Sequence, residues 1–311
     1  MLIFFFDLLY RQKQKKKHLD YNLNNIHSIA SRIFLVGCPR SGTTLTQSLL
    51  AAHPRIASFP ESHFFSHLLV SRWFRPLRIA SSRAAPRLNR FLEDMGREDM
   101  KQFIPKKAFF IGPYSKAFKY ICDRLTAEQG KEIWLEKTPG HLHYIKYIEK
   151  LIKNSKFIHV IRNGTDVVAS LYEVTHQHPE QWGGPRDIER CIRRWIRDVV
   201  ISLQCIQKPR HLLVRYEHLA AEPESVLKDL CRFIGIEYNE ILLQDYTLAA
   251  KRLTTSDEPW KALIGNGIRR DKGDKFIRIF DQGKQRYIID RLKDAGLYDL
   301  SCWQSNGIKP C

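Results

Sequence analysis

Short apolar runs alternate with stretches of helical spacing along most of the chain. Ile33-Phe34-Leu35-Val36 ends in Gly37 and predicts a buried strand. Over residues 42–52, Leu45, Leu49 and Leu50 recur at helical spacing, and Pro54 closes the segment. Residues 132–136 predict another strand. Pro139 then opens a helix running to about residue 153, with Ile145, Ile148, Leu151 and Ile152 on its apolar face. Residues 157–161 and 211–215 are strand-like, followed by helical segments at 165–173 and 223–234. Strands and helices alternating at this length make βαβ units, so the expected fold is α/β with a parallel sheet.

Two stretches break the rhythm. Residues 62–130 are rich in arginine and aromatics, and we read them as a helical insertion over the site, not as a separate domain. Residues 251–283 are rich in Gly, Lys, Arg and Asp and predict a long functional loop. With 311 residues, 43% of them hydrophobic, the chain can build a sizeable core without disulfides or structural metals.

The formal net charge of +18 suits a protein that gathers a polyanion, whether nucleotide, acidic substrate, nucleic acid or anionic membrane. The run Arg190-Cys191-Ile192-Arg193-Arg194-Trp195 adds to that field, but no helix-turn-helix, zinc-finger or RNA-binding motif is present, so no nucleic-acid partner is expected. Seven scattered cysteines without a C-x-x-C pair imply neither a zinc site nor a disulfide framework, and fit a reducing, cytoplasmic setting. The first eighteen residues are apolar and then basic, the reverse of a secretory signal, and too short in their apolar part to span a bilayer. The domain reading is therefore a basic extension over residues 1–31 that can touch a membrane surface, one domain over 32–300, and a tail over 301–311.

The sharpest motif is Gly37-Cys38-Pro39-Arg40-Ser41-Gly42-Thr43-Thr44, between a predicted strand and a predicted helix. Its glycines allow a tight turn in which backbone N–H groups and a helix N-terminus surround an anionic oxygen cluster. The glycine spacing is that of the nucleotide-triphosphatase loop, but Thr43 stands where the lysine should be. Neither that lysine nor a convincing magnesium-holding carboxylate is present, so an ATP-dependent phosphotransferase is the weaker alternative and no metal is expected. A non-enzymatic polyanion binder is the other alternative. Its binding would fall steeply with salt.

The Pro39-to-Thr44 segment resembles the 5′-phosphosulfate loop of sulfotransferases that use 3′-phosphoadenosine-5′-phosphosulfate (PAPS). Phe157-Ile158-His159-Val160-Ile161-Arg162 through Ser170 resembles their 3′-phosphate segment, in which a strand-end arginine and a serine eight residues later hold that phosphate. Arg162 suits bidentate phosphate binding at a strand end, and Ser170 can donate from the next helix. The likeness extends over about residues 32–300 and is nearest the branch that includes the tyrosylprotein sulfotransferases. Further matches are Ile133-Trp134-Leu135-Glu136-Lys137-Thr138-Pro139, and Leu213-Val214-Arg215-Tyr216-Glu217-His218-Leu219 followed by Phe233-Ile234-Gly235-Ile236.

The resemblance implies a P-loop-type three-layer sandwich whose central parallel sheet is flanked by helices. It also implies PAPS as co-substrate and an acceptor hydroxyl on a carbohydrate, lipid, small molecule or protein tyrosine. Sulfuryl transfer needs little covalent help, so positioned cations should supply most of the catalysis. Arg40, Lys137 and the N–H groups near Thr43 and Thr44 are then the groups that stabilise the leaving oxygen. In that branch a glutamate lies seven residues beyond a His-Pro pair. Here His53-Pro54 leads to Glu61, the implied base, with His63 in reserve and His53 securing a helix end. Tyr216 is a nucleotide contact by the same likeness, and Arg269, Arg270 and Lys272 form a basic loop of the kind that closes over the 3′-phosphate. His63 and His67 stand where the branch carries arginines that read acidic peptides, which leaves the acceptor class open.

Overall fold

Five parallel strands form the sheet at the centre of the molecule: β1 (Ser31–Gly37), β2 (Ile56–Ser58), β3 (Ile133–Lys137), β4 (Ser155–Ile161) and β5 (His211–Arg215). The computed structural model describes residues 29–70, 77–253 and 274–300. The spatial order is β2-β3-β1-β4-β5, so the phosphate-loop strand β1 lies in the middle. Register sets Leu35 beside Lys137 and Gly37 beside Val160, which brings the carboxyl ends of β1, β3 and β4 to one edge. In doubly wound sheets that edge, at the switch in strand order, is where ligands bind.

The α-helices of five or more residues are α1 (Thr43–Ala51), α2 (Phe64–Leu68), α3 (Ala84–Glu93), α4 (Ile111–Glu128), α5 (Ile145–Leu151) and α6 (Gly164–Gln177). After them come α7 (Ile188–Cys205), α8 (Tyr216–Ala221), α9 (Pro223–Ile234), α10 (Tyr246–Leu253), α11 (Asp274–Ile279) and α12 (Gln282–Asp294). Strand side chains alternate between faces. Phe34, Trp134 and Phe157 therefore meet one helical layer, while Ile33, Leu35, Ile133, Leu135, Ile158 and Val160 meet the other. Both faces are covered, which is why the strands read as continuous apolar runs and not as alternation.

The first layer is largely built by residues 62–130. Phe64 and Phe65 of α2, Phe91 of α3 and Phe118 of α4 pack with Phe34 and Trp134 in one aromatic core. The second layer is α1 with α8, α9 and α10. A third apolar cluster, around the buried Trp195, joins α6, α7, α11 and α12 beside the phosphate loop.

Three elements depart from the sequence reading. β2 was not anticipated, because three residues carry too little pattern. The helix expected from Pro139 opens instead as a 3-10 turn (Pro139–Tyr144), with α5 following it. His141 in that turn is drawn inward to a buried carboxylate and holds the turn tight. The stretch 251–283, expected as a loop, is helical at both ends: α10 reaches Leu253, α11 occupies Asp274–Ile279 and α12 begins at Gln282. Residues 254–273 lie outside the described residues, as do the basic N-terminal segment up to residue 28 and the tail 301–311. Among the described residues no helix is long and apolar enough to cross a membrane, and no group of three metal-ligating side chains occurs.

Candidate active site

The loop after β1 owes its path to two glycines. A Cβ on Gly37 would run into the Val160 carbonyl oxygen of β4. Gly42 has φ +92° and lies against the Tyr216 ring, which a Cβ would strike. Between them Arg40 holds a positive φ of 74°, unfavourable for a side chain other than glycine and found where a site demands it. Ser41 donates its N–H to the Cys38 carbonyl at 3.2 Å, closing the turn. α1 then begins with no side-chain cap, so the first N–H groups of the helix, around Thr43 and Thr44, have no intrahelical partner. The Ser41 hydroxyl is fully buried and makes no hydrogen bond among the described residues. Buried N–H groups, a buried hydroxyl and a positive helix end form an anion cradle.

Two guanidiniums border this cradle. Arg40 Nε donates to Ser170 Oγ of α6 at 3.1 Å. Burial, and then the neighbouring Arg162, lower the Arg40 pKa to about 10. Arg162 follows directly after β4, reaches the Arg40 carbonyl oxygen at 3.5 Å, and lies 4.3 Å from the centroid of the Tyr216 ring. Tyr216 thus joins the loop glycine to the second arginine through packing and a cation–π contact. Two half-buried cations facing each other repel, and a multiply charged anion bound between them would relieve that repulsion. The structure therefore groups Arg40 with Arg162 and Ser170, residues that the sequence places in a different motif.

A second constellation sits at the end of β3. Residues 61–63 run along residues 136–138 and meet them in three consecutive contacts. Glu61 pairs with Lys137, whose buried amine also lies 3.4 Å from Thr44 Oγ1 at the head of α1. Ser62 donates its N–H and hydroxyl to Glu136 Oε1 at 3.3 and 2.7 Å. The His63 N–H donates to Thr138 Oγ1 at 3.2 Å. His63 Nε2 lies 3.4 Å from Glu61 Oε2, and burial pushes its pKa down against the pull of Glu61. His67 turns back to the His63 carbonyl at 3.0 Å. His53 lies away from this edge, at the far end of α1, hydrogen-bonded to the Glu237 carbonyl.

Most of the sequence-derived site residues therefore meet at one sheet edge. Pro39 to Thr44, Arg162, Ser170 and Tyr216 surround the loop, and Glu61 and Lys137 flank Thr44. Arg269, Arg270 and Lys272 lie outside the described residues. The sequence reading overlooked Asp198 of α7. It is buried beneath the loop, accepts a hydrogen bond from Arg194 Nε at 2.5 Å and lies 2.9 Å from His143 Nε2. Burial pushes the Asp198 carboxyl up, but these partners outweigh burial and hold it low. Burial and Asp198 together push the loop thiol of Cys38 well up, so that side chain stays protonated. Its only sequence trace is the i, i+4 spacing of Arg194 and Asp198.

A family model described as "Sulfotransferase family" matches residues 32–240, more than half of the chain. The chain belongs to the sulfotransferase family. Among its relatives is protein-tyrosine sulfotransferase 2 of Gallus gallus, 27% identical over 243 residues, covering 75% of this chain and 58% of that protein. Protein-tyrosine sulfotransferase 1 of Danio rerio is 28% identical over 227 residues, covering 70% and 57%. The chain thus spans less than two thirds of the length of these relatives. Among solved structures, the sulfotransferase domain from the Synechococcus PCC 7002 olefin synthase superposes with a TM-score of 0.61 at 24% identity, covering 88% of this chain and 97% of that one. The shared architecture is the helix-flanked parallel sheet described above.

Proposed function

We propose that this sulfotransferase-family chain moves a sulfuryl group from PAPS to an acceptor hydroxyl by in-line displacement. The observation that carries the reading is the Glu61–Lys137 pair lying against Thr44 of the phosphate loop, beside the Arg40–Arg162–Ser170 group. The donor supplies an activated sulfur whose bond to the bridging phosphate oxygen breaks as the acceptor oxygen bonds to sulfur. The residues fit such a donor: the partnerless Ser41 hydroxyl, the open end of α1 and two guanidiniums offer donors on several sides to a nucleotide carrying phosphate at both ends.

The division of labour follows from position. Arg162, Ser170 and Arg40 hold a terminal phosphate, and Tyr216 fixes Arg162. Lys137 and the N–H groups at Thr43 and Thr44 stabilise charge on the leaving oxygen. Glu61 takes the acceptor proton. His63 and His67 put imidazoles, one facing Glu61 and one turned back to the backbone, where arginines would read an acidic peptide. The acceptor is thus a hydroxyl of a carbohydrate, lipid, small molecule or less acidic protein tyrosine.

Calorimetric titration with 3′-phosphoadenosine-5′-phosphate and with ATP, both without magnesium, tests the donor. Tight binding of the bisphosphate with ATP far weaker supports the reading. A magnesium-dependent preference for ATP overturns it.

A further inference from the structure

We infer that Glu136 is a positioning residue for the reaction: its buried carboxylate holds Glu61 against Lys137. The inference rests on the function proposed above and assigns a role to a residue that does not itself face the reacting groups. Glu136 and Lys137 are neighbours on β3, so their side chains leave opposite faces of the sheet. Lys137 points toward α1, while Glu136 points into the aromatic layer and is fully buried. A carboxylate taken out of water is costly unless its oxygens are saturated with donors.

Here they are saturated, and every donor comes from a segment that carries the site. Oε1 accepts from the Ser62 N–H, the Ser62 hydroxyl and the Thr138 hydroxyl, the last at 2.6 Å. Oε2 accepts from His141 Nδ1 at 2.9 Å. His141 Nε2 in turn accepts the Phe65 N–H at 3.1 Å, so Nδ1 carries the ring proton and the imidazole is neutral. Burial pushes the Glu136 carboxyl up, and the hydrogen bonds from His141, Thr138 and Ser62 pull it back down. One charge thus ties the 61–65 segment to the end of β3 and to the turn after it. A neutral or apolar side chain could fill the space. It could not accept three donors at one oxygen, so the Ser62 anchor beside Glu61 would be lost and the segment left to Arg87, on the Glu61 and Ser62 carbonyls, and to Thr138.

The test uses the whole protein and two readouts: calorimetric binding of 3′-phosphoadenosine-5′-phosphate, and release of that product from PAPS with water and p-nitrophenol as probe acceptors. Glu136→Gln and Ser62→Ala should each lower turnover about ten- to hundredfold, as expected for a base displaced by a fraction of an ångström to an ångström. The bisphosphate dissociation constant should stay within about twofold. In a Glu61→Gln background the same substitutions should cost less than about twofold further, because the group they position is gone. Equal losses in both backgrounds, or a parallel loss of bisphosphate binding, would show a general structural role and overturn the inference. Ser62→Ala removes one hydroxyl and no charge, so it carries the test if Glu136→Gln fails to fold. A wild-type protein that binds no bisphosphate defeats the sulfotransferase reading and this inference with it. Wild-type binding combined with equal losses defeats the inference alone.

Discussion

Arg40 Nε and Ser170 Oγ meet at 3.1 Å although 130 residues separate them, and this contact joins the loop after β1 to the helix after β4. With Arg162 beside them, the two motifs border one cluster of guanidinium and hydroxyl groups. Arg40→Ala and Arg162→Ala should each weaken bisphosphate binding by about 1.5–3 kcal/mol, the usual worth of a hydrogen bond to a charged group. Because the residues share partners, the double variant should lose less than the sum of the singles. Calorimetry on all four proteins measures this. An unchanged dissociation constant for Arg162→Ala would remove it from the site.

Glu61→Gln keeps the shape of the side chain but cannot take a proton. Turnover should fall by about 10²–10⁴-fold, the range general-base catalysis contributes, with bisphosphate binding largely intact. Single-turnover product formation under saturating donor is the measurement. Wild-type turnover in this variant would pass the base role to another group, with His63 first in line.

Gly42→Ala should damage the site and the fold together. The new methyl would strike the Tyr216 ring at a φ of +92° that side chains avoid. We expect a loss of about 1–3 kcal/mol in stability from backbone strain, read as a lower urea midpoint, and weaker donor binding. Gly96 also has positive φ (+64°) but has nothing within reach of a new Cβ, so Gly96→Ala should lower stability without touching donor binding.

Stability should fall as pH drops below about 6.5. His159 Nε2 and His211 Nδ1 lie 2.9 Å apart, and His211 Nε2 reaches Glu149 at 3.1 Å. Burial lowers both pKa values below 6.5, His159 well below, and outweighs the upward pull of Glu149 on His211. Between the unfolded and the folded pKa the unfolded chain binds more protons, so the stabilisation is complete above pH 6.5 and lost as pH falls. Urea midpoints at pH 7.5 and 5.5 check the slope. His159→Leu, which has no proton to bind, should flatten it.

The sequence alone was enough to read the strand, glycine turn and helix around Arg40, and the strand with Arg162 and Ser170. These are local: an apolar run specifies a buried strand, glycines specify the turn, and the functional groups lie within a few residues of both. It also displayed Glu61 and Lys137, each in its own motif. Which groups meet was decided by tertiary structure. Glu61 reaches Lys137 across 76 positions only because β2, which leads into the 61–63 segment, pairs with β3. Glu136 reads in sequence as one charge in a strand-like run. Its burial and the two donors from Ser62 depend on residues 62–130 wrapping the aromatic face, a layer whose pattern is too irregular to locate by periodicity. Asp198 beneath the loop is of the same kind. Hydrophobic spacing says which side of an element is buried, whereas sheet order and register say what it is buried against, and these are set by packing over the whole chain.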